Sequence, residues 1–171
     1  MIHNKVKLAI ESMRPEHWRD VRRIHLEGID TGNATFETDA APSWDDWSRQ
    51  HLEFCRLVAV REGGVVGWAA LTPVSDRCVY GGVAEVSIYI GAEARGQGAG
   101  SLLMKALIDE SEKHGIWTLQ AGIFAENQHS VALHEKCGFR IVGRRERLGK
   151  LRGLWKDVLL LERRSERVGI D

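Results

Sequence analysis

Hydrophobic and polar positions along the chain follow two periods, and these predict its strands and helices. Residues 6–10 alternate apolar and polar side chains as in a half-buried strand, whereas residues 15–29 place apolar side chains near helical spacing. Two β-prone runs, 57–60 and 65–71, flank a Gly-Gly pair and predict a hairpin. The other predicted elements are a helix that begins after Ser43, strands at 83–90, 116–124, 139–145 and 154–161, and helices at about 98–113 and 127–136.

The order of these elements indicates the fold class. One strand and two helices come first, several antiparallel strands follow, and a β-α-β-α-β-β series ends the chain. We therefore expect an α/β protein of the α+β type, with a mixed, mostly antiparallel central sheet flanked by helices. The chain of 171 residues has the size of one domain. We expect that domain to span residues 1–171, with its core at about 6–163.

Composition and charge disfavour several classes of protein. The 24 basic residues equal the 24 acidic residues in number. Nucleic-acid-binding proteins usually carry a basic excess, so we expect no nucleic-acid partner. No apolar run reaches the ~18 residues of a membrane span, and the N-terminal residues do not read as a signal peptide. We therefore expect no membrane partner and a cytoplasmic location.

The metal-binding and disulfide-forming residue types show no pattern. The 3 cysteines lie far apart without a C-x-x-C pair, and the 7 histidines are scattered. We therefore expect no disulfide and no metal. Charge is nevertheless uneven, because the chain from Phe139 onward has 10 basic and 5 acidic residues. This excess suits either a solvated face or contact with an anionic ligand.

The most informative stretch joins the predicted strand 83–90 to the helix that follows it. Glycines there let a ligand approach the backbone, and the free N–H groups of the first helical turn favour an anion. The stretch lacks the lysine of a P-loop, and its glycine spacing differs from the dinucleotide-binding pattern. It predicts a pyrophosphate or phosphate site of another kind, formed by Arg95, Gly96, Gln97, Gly98, Ala99, Gly100 and Ser101.

Two motifs carry a resemblance to a known family. The glycine-rich stretch fits R-x-x-G-x-G, and residues 127–139 read N-x-x-S-x-x-L-H-x-x-x-G-F. Both resemble the acetyl-CoA-binding segments of the GCN5-related N-acetyltransferases. The resemblance implies the acyl-CoA N-acyltransferase fold, acetyl-CoA as co-substrate, and cofactor contacts from Asn127 and Ser130. Asn127 also suits the N-cap of a helix, and one residue can serve both roles.

Three further motifs resemble the phosphinothricin and methionine sulfoximine acetyltransferases. They are G-N-A-T-F-E at 32–37, R-x-x-Y at 77–80 followed by E-x-S-x-Y at 85–89, and G-L-W-x-D at 153–157. This resemblance covers roughly residues 8–163. It implies a small amino-acid analogue as acceptor, a role in resistance to such compounds, and a homodimer. It also implies an acceptor site formed by Phe36, Glu37, Arg77, Tyr80 and Val86.

Acetyl transfer to an amine uses a base, a polarised carbonyl and a stabilised thiolate. Glu85 resembles the catalytic glutamate of the family, although a strand glutamate also suits an exposed sheet edge. The last helix lacks the tyrosine that serves many relatives as general acid, which leaves His134 as proton donor, cofactor ligand or structural histidine. Arg77 suits an anchor for a carboxylate, or a loop arginine without a ligand. The thioester is expected to lie along the strand backbone at Ser87, Ile88, Tyr89 and Ile90.

These residues predict an acetyl-CoA-dependent N-acetyltransferase. We expect it to acetylate the α-amino group of phosphinothricin, methionine sulfoximine or methionine sulfone by direct attack in a ternary complex. One alternative keeps this chemistry and takes a protein N-terminus or a polyamine as acceptor. A protein acceptor needs an open groove, and a polyamine needs an acidic lining, which Arg77 contradicts. A second alternative is a non-catalytic acyl-CoA-binding sensor.

Overall fold

The computed structural model describes residues 7–171, and the strands of this part form one sheet. In chain order they are β1 Ala9–Ser12, β2 Leu57–Arg61, β3 Gly64–Pro73, β4 Val83–Ile90, β5 Thr118–Phe124, β6 Arg140–Leu151 and β7 Leu154–Arg164. The α-helices of the same part are α1 Trp18–Asp30, α2 Trp44–Gln50, α3 Ala99–Lys113 and α4 Gln128–Lys136. Short 3-10 helices lie at Pro15–His17, Cys78–Tyr80 and Ala92–Ala94.

The sheet has the strand order β1-β2-β3-β4-β5-β7-β6. Neighbouring strands pair antiparallel except β4 and β5, which pair in parallel. A parallel pair needs a long crossover, and α3 is that crossover. The predicted mixed, mostly antiparallel sheet with flanking helices is therefore confirmed.

Helices pack on both faces of the sheet. Helix α3 packs on β2, β3 and β4 and buries Leu103 and Leu107 completely. Helix α1 packs on β3 and β4 and buries Val21. Trp68 of β3 belongs to the hydrophobic cluster of α1, whereas the next residue, Ala69, belongs to the cluster of α3. Successive strand side chains point to opposite faces, so the two clusters lie on the two sides of the sheet.

Local sequence signals explain where several helices begin and end. The Ser43 hydroxyl accepts a hydrogen bond from the backbone N–H of Asp46 at 3.1 Å and begins α2. Gly115 and Gly138 follow α3 and α4 with positive φ angles of 76° and 91°. Helix α1 begins at Trp18, directly after the 3-10 helix that contains Pro15.

The first hairpin differs from its prediction by one residue. Its turn consists of Glu62 and Gly63, which have φ angles of 53° and 76°, rather than of the Gly-Gly pair. Gly64 already pairs with Arg61 and therefore belongs to β3. The strand predicted at 6–10 begins at Ala9, and its first residue, 6, lies outside the described residues.

Strand β6 continues to Leu151 instead of ending near residue 145. It lies at the edge of the sheet, and almost all of its residues are exposed. An exposed edge strand needs no alternation of apolar and polar residues, so the hydrophobic pattern gave no signal for its second half. It turns into β7 through Arg152 and Gly153, both at positive φ as in a type I′ turn.

Candidate active site

The candidate site forms where the two parallel strands separate. Strands β4 and β5 pair only from Val83 with Thr118 to Glu85 with Gln120. Beyond this point β4 continues to Ile90 against β3, while β5 continues against β7. One edge of β4 therefore has no neighbouring strand, and its backbone N–H and C=O groups are available to a ligand.

A cavity of about 410 Å³ occupies the gap between these strands. The two strands, α4, the loop after α1 and the β6–β7 hairpin contribute to its lining. The structure thus brings together segments that are far apart in the sequence. The predicted site residues that line this cavity are Phe36, Glu37, Glu85, Val86, Ser87, Ile88, Tyr89, Asn127, Ser130 and His134.

Glu85 lies at the end of the cavity where the strands still pair. Its carboxylate Oε1 accepts a hydrogen bond from Gln120 Nε2 at 3.2 Å. Gln120 is also its direct partner in the β4–β5 register, and paired side chains share one face of a sheet. Gln120 therefore orients the Glu85 carboxylate. No pattern in the sequence marks Gln120 as a site residue, because only the tertiary fold places β5 beside β4.

Side chains of β4 alternate between two environments. Val86 and Ile88 pack against the hydrophobic cluster under α3. Tyr89 packs on the other face, where its ring stacks on Trp68 with centroids 5.0 Å apart. A Cβ on Gly28 of α1 would meet the Tyr89 ring at 2.6 Å, so this helical position needs glycine. Burial raises the pKa of Tyr89, which keeps its phenol neutral.

The glycine-rich stretch begins α3 beside the cavity. Gly98 is the N-cap of α3 with a φ of 90°, and an added Cβ would meet nothing within 4 Å. Gly100 differs from Gly98, because an added Cβ there would crowd Leu133 of α4 at 3.1 Å. The first-turn N–H groups have no acceptor within the helix, and the helix dipole favours an anion there. This open, glycine-lined helix start fits the diphosphate of acetyl-CoA.

The side chains of this stretch hold its own shape. Arg95 Nε donates to the Ile90 carbonyl at 3.2 Å, and Gln97 Nε2 donates to the Glu93 carbonyl at 2.8 Å. Ile90 and residues 95–101 do not line the cavity. Acetyl-CoA carries its diphosphate at one end of a long arm and its thioester at the other, so a separation between the two sites is expected.

Helix α4 contributes Asn127, Ser130 and His134 to the cavity. Asn127 Oδ1 accepts from the Ser130 N–H at 3.2 Å, and its Nδ2 donates to the Asn33 carbonyl at 3.1 Å. The predicted N-cap therefore also ties α4 to the loop after α1.

His134 is buried, and its Nδ1 lies 2.7 Å from the Ser130 carbonyl. Because a carbonyl only accepts, Nδ1 carries the proton, and Nε2 is the acceptor of the neutral ring. Burial lowers the pKa of His134, although the bond to the carbonyl opposes this effect. The ring is therefore neutral at pH 7.

The loop after α1 forms another wall of the cavity. Phe36 packs edge-on against Phe124 with ring centroids 4.8 Å apart. Glu37 Oε2 accepts a hydrogen bond from Nε2 of the buried His25 at 2.7 Å, and this bond lowers the pKa of Glu37. The Glu37 carboxylate is thus ionised and held against α1, which fixes the position of the loop.

Arg77 and Tyr80 do not line the cavity. They lie in the loop before β4, where the Arg77 guanidinium is 5.6 Å from the centroid of the Tyr80 ring. The basic residue in the cavity lining is Arg145 of β6. Apart from the basic excess after Phe139, nothing in the sequence marks Arg145 as a residue of the site.

Other lining residues were also missed. The alternation of β5 places Gln120, Gly122 and Phe124 on one face, yet the sequence does not reveal which strand lies beside them. Leu148 comes from the part of β6 that the hydrophobic pattern did not reveal. Ala34 and Thr35 also line the cavity and belong to the predicted G-N-A-T-F-E motif at 32–37, whereas Ala121, Ile123, Val158 and Leu160 are lining residues outside the prediction.

Charged groups of the cavity lining are Glu37, Glu85 and Arg145. Among residues 7–171, no group of three or more His, Cys, Asp or Glu side chains is arranged to hold a metal ion. The helices of the described region include none with the length and apolar character needed to cross a membrane.

Comparison with known proteins assigns the chain to a family. The model of the acetyltransferase (GNAT) family matches residues 11–139. The chain is 30% identical over 139 residues to an L-methionine sulfoximine/L-methionine sulfone acetyltransferase of Salmonella typhimurium, which covers 81% of this chain and 80% of that protein. It is 30% identical over 163 residues to a phosphinothricin N-acetyltransferase of Alcaligenes faecalis, which covers 91% of this chain and 81% of that protein.

A solved structure supports the same assignment. It is a GNAT superfamily phosphinothricin acetyltransferase from Sinorhizobium meliloti in complex with acetyl-CoA. It matches this chain with a TM-score of 0.83 at 26% identity, covering 96% of each chain. The predicted fold and the predicted resemblance are therefore confirmed. The chain belongs to the GNAT family, and it is an N-acetyltransferase that uses acetyl-CoA.

Proposed function

We propose that this enzyme acetylates the α-amino group of a small amino-acid analogue such as phosphinothricin, methionine sulfoximine or methionine sulfone. The observation that carries the proposal is the cavity of about 410 Å³ between β4 and β5, which combines the Glu85 carboxylate with the loop after α1. Its volume suits a small acceptor. The relatives named for these compounds support the same acceptor class.

Glu85 is the general base in this proposal. The α-amino group of an amino acid is mostly protonated at neutral pH, and the protonated amine cannot attack the thioester. Glu85, oriented by Gln120, accepts the proton of the amine directly or through one water. Acetyl-CoA supplies the thioester, whose carbonyl carbon forms a bond to the amine nitrogen as its bond to sulfur breaks. No acyl-enzyme forms, because the amine attacks in the ternary complex.

Cofactor contacts follow from the free edge of β4 and from α4. Backbone N–H groups between Ser87 and Ile90 bind the pantetheine arm and polarise the thioester carbonyl. Asn127 and Ser130 contact the same arm from the start of α4. His134 presents Nε2 as an acceptor, so the geometry favours binding of a cofactor N–H or thiol over donation of a proton. A thiol has an ordinary pKa near 8.5, so the thiolate leaves without an obligatory protein acid.

The lining of the cavity favours a small acidic acceptor over the alternatives. The loop after α1 is fixed to α1 by Glu37 and to α4 by Asn33, which restricts access for an extended peptide. A polyamine site would be lined by carboxylates, whereas this lining also contains Arg145. Arg77 and Tyr80 lie outside the lining, so their role in acceptor binding stays a prediction.

A homodimer is part of the proposal. The β6–β7 hairpin exposes Leu148, Leu154 and Trp155 by 42%, 66% and 54%. Exposed apolar side chains grouped on one edge hairpin are typical of a protein interface. Light scattering is expected to give the mass of two chains, and Trp155→Glu is expected to shift it to one. A monomeric wild type contradicts this part of the proposal.

The experiment follows release of free thiol from acetyl-CoA with purified protein and six amines. These are phosphinothricin, methionine sulfoximine, methionine sulfone, glutamate, spermidine and a peptide with a free N-terminus. We expect release with the first three compounds and none with spermidine or the peptide. Release confined to spermidine or to the peptide contradicts the proposed acceptor class.

A further inference from the structure

The register of three strand pairs places Arg145 on the same face of the sheet as Glu85. Glu85 pairs with Gln120 of β5. Side chains alternate along β5, so Phe124, four residues later, shares the face of Gln120. Phe124 pairs with Val158 of β7, which in turn pairs with Arg145 of β6. Directly paired residues point to the same side, so all of these side chains face the same side of the sheet.

The two charged residues lie at opposite ends of one cavity. Along the strand direction, Glu85 lies level with Gln120 and Arg145 lies level with Phe124, an offset of four residues or about 13 Å. Strand β6 lies three strands away from β4, about 14 Å. Both side chains nevertheless line the same cavity. Glu85 and Arg145 therefore approach a bound molecule from different ends and do not contact the same group of it.

The charge of Arg145 is not neutralised by a neighbour. Arg140 and Arg144 of the same strand form ion pairs with Glu162 and Asp157. For Arg145, the described residues place no carboxylate within 4.0 Å of the guanidinium. It is also the one Lys or Arg among the residues that line the cavity in the described part of the chain. The far end of the cavity thus carries a positive charge that is available to a ligand.

We infer that Arg145 binds an anionic group at the end of the acceptor side chain, and that this enzyme therefore prefers an anionic side-chain end to a neutral one. The inference rests on the proposed function, in which Glu85 accepts the proton of the α-amine. A guanidinium binds two oxygens of a phosphinate or carboxylate with parallel hydrogen bonds. Phosphinothricin ends in such a phosphinate, whereas methionine sulfone has a similar shape without the charge.

This pair of acceptors provides the test. We compare kcat/KM for phosphinothricin with kcat/KM for methionine sulfone in the wild type, Arg145→Gln, Arg145→Lys and Arg147→Gln. Arg147 is the matched control, since it is an exposed arginine of the same strand outside the cavity lining. In Arg145→Gln the ratio is expected to fall about 10- to 100-fold, through a higher KM for phosphinothricin, as for loss of a charged hydrogen bond. Arg145→Lys is expected to retain part of the preference, and Arg147→Gln all of it.

Three results overturn the inference, and they are distinguishable from one another. An unchanged ratio in Arg145→Gln, with both acceptors still acetylated, overturns the role of Arg145 and leaves the proposed function in place. A ratio that falls in Arg77→Gln but not in Arg145→Gln also overturns the role of Arg145 and leaves the proposed function in place. A wild type that acetylates neither compound but does acetylate spermidine or the peptide overturns the proposed function together with this inference. Thermal unfolding of each variant verifies that it is folded.

Discussion

The carboxylate of Asp157 on β7 accepts a hydrogen bond from the backbone N–H of Arg147 on β6 at 2.8 Å. The β6–β7 pairing is irregular at this point, and Arg147 has a φ of 45°, which is uncommon for a residue other than glycine. The same carboxylate accepts from Arg144 Nε at 2.9 Å. The bond from the Arg147 N–H, followed by the bond from Arg144, lowers the pKa of Asp157. Asp157 thus holds the bulge that follows Arg145.

Replacement of Asp157 by alanine is expected to raise the KM for the acceptor about tenfold, the effect of losing one charged hydrogen bond. The bulge loses its acceptor, so Arg145 and Leu148 no longer hold their positions in the cavity lining. The KM for acetyl-CoA is expected to stay within twofold, because the glycine-rich stretch proposed to bind it lies at the start of α3 and not in the β6–β7 hairpin. Steady-state kinetics with both substrates varied provides the measurement. Asp39→Ala is the control, since it also removes an aspartate that pairs with an arginine, here Arg22 at 3.8 Å, but at an exposed position outside the β6–β7 hairpin.

Glu85→Gln is expected to lower kcat at pH 7.5 by about 100-fold or more, the usual contribution of a general base. Glutamine keeps an oxygen for the hydrogen bond from Gln120 and loses only the ability to take a proton. Acetyl-CoA binding, measured by calorimetry, is expected to be unchanged. Turnover of Glu85→Gln that equals the wild type across pH 6 to 9 would show that another group is the base.

Gly98→Ala is expected to raise the Kd for acetyl-CoA at least tenfold. The φ of 90° at Gly98 is strained for alanine by about 1–2 kcal/mol, although no atom lies within 4 Å of the added Cβ. The change therefore acts through the backbone that presents the helix N–H groups. Gly63→Ala is the matched control, because Gly63 has a φ of 76°, equally open surroundings and a position in the remote β2–β3 turn. If both variants lose stability equally and bind acetyl-CoA equally, the stretch does not bind the cofactor.

His134→Asn is expected to change how stability depends on pH. Burial lowers the pKa of His134 in the folded protein, so the unfolded chain takes up a proton first as the pH falls. The contribution of His134 to the free energy of unfolding is therefore complete above pH 6.5 and is lost progressively as the pH falls below it. Denaturant titrations at pH 7.5 and 5.5 measure this difference between wild type and variant. A wild type and a variant that lose equal stability over this range contradict the prediction.

Glu112→Gln is expected to destabilise the protein by about 3 kcal/mol without affecting turnover at 25 °C. The Glu112 side chain is 5% exposed, and it forms bonds of 2.8 Å with Ser165 and 3.1 Å with Arg163, both beyond the cavity lining. Burial raises its pKa, but these bonds and the nearby arginine charges outweigh burial and lower it. Their contribution is present above the ordinary pKa of 4.5 and is lost as the pH falls below it. Thermal unfolding measures the change in stability. Glu110→Gln is the control, because Glu110 is more exposed and its loss is expected to lower the free energy of unfolding by less than about 1 kcal/mol.

The parts of this protein that depend on consecutive residues were predictable from the sequence. The glycine-rich stretch is an example, because the positive φ at Gly98 and the N–H groups of one helical turn are local properties. The caps at Ser43, Asn127 and Gly138 are local for the same reason. The alternation along a strand is local too, and it places Glu85 on the face opposite to Val86. Together with the motifs, these local features indicated the family and its cofactor.

The walls of the cavity between β4 and β5 were decided by the tertiary structure. Gln120 contacts Glu85 only because a long crossover through α3 aligns β5 in parallel with β4. Arg145 reaches the cavity only because β7 pairs with both β5 and β6. Arg77 was expected to anchor the acceptor, yet it lies outside the cavity lining. The sequence by itself determined the chemistry of each segment, whereas the register between distant strands, set by long-range packing, decided which side chains share the site.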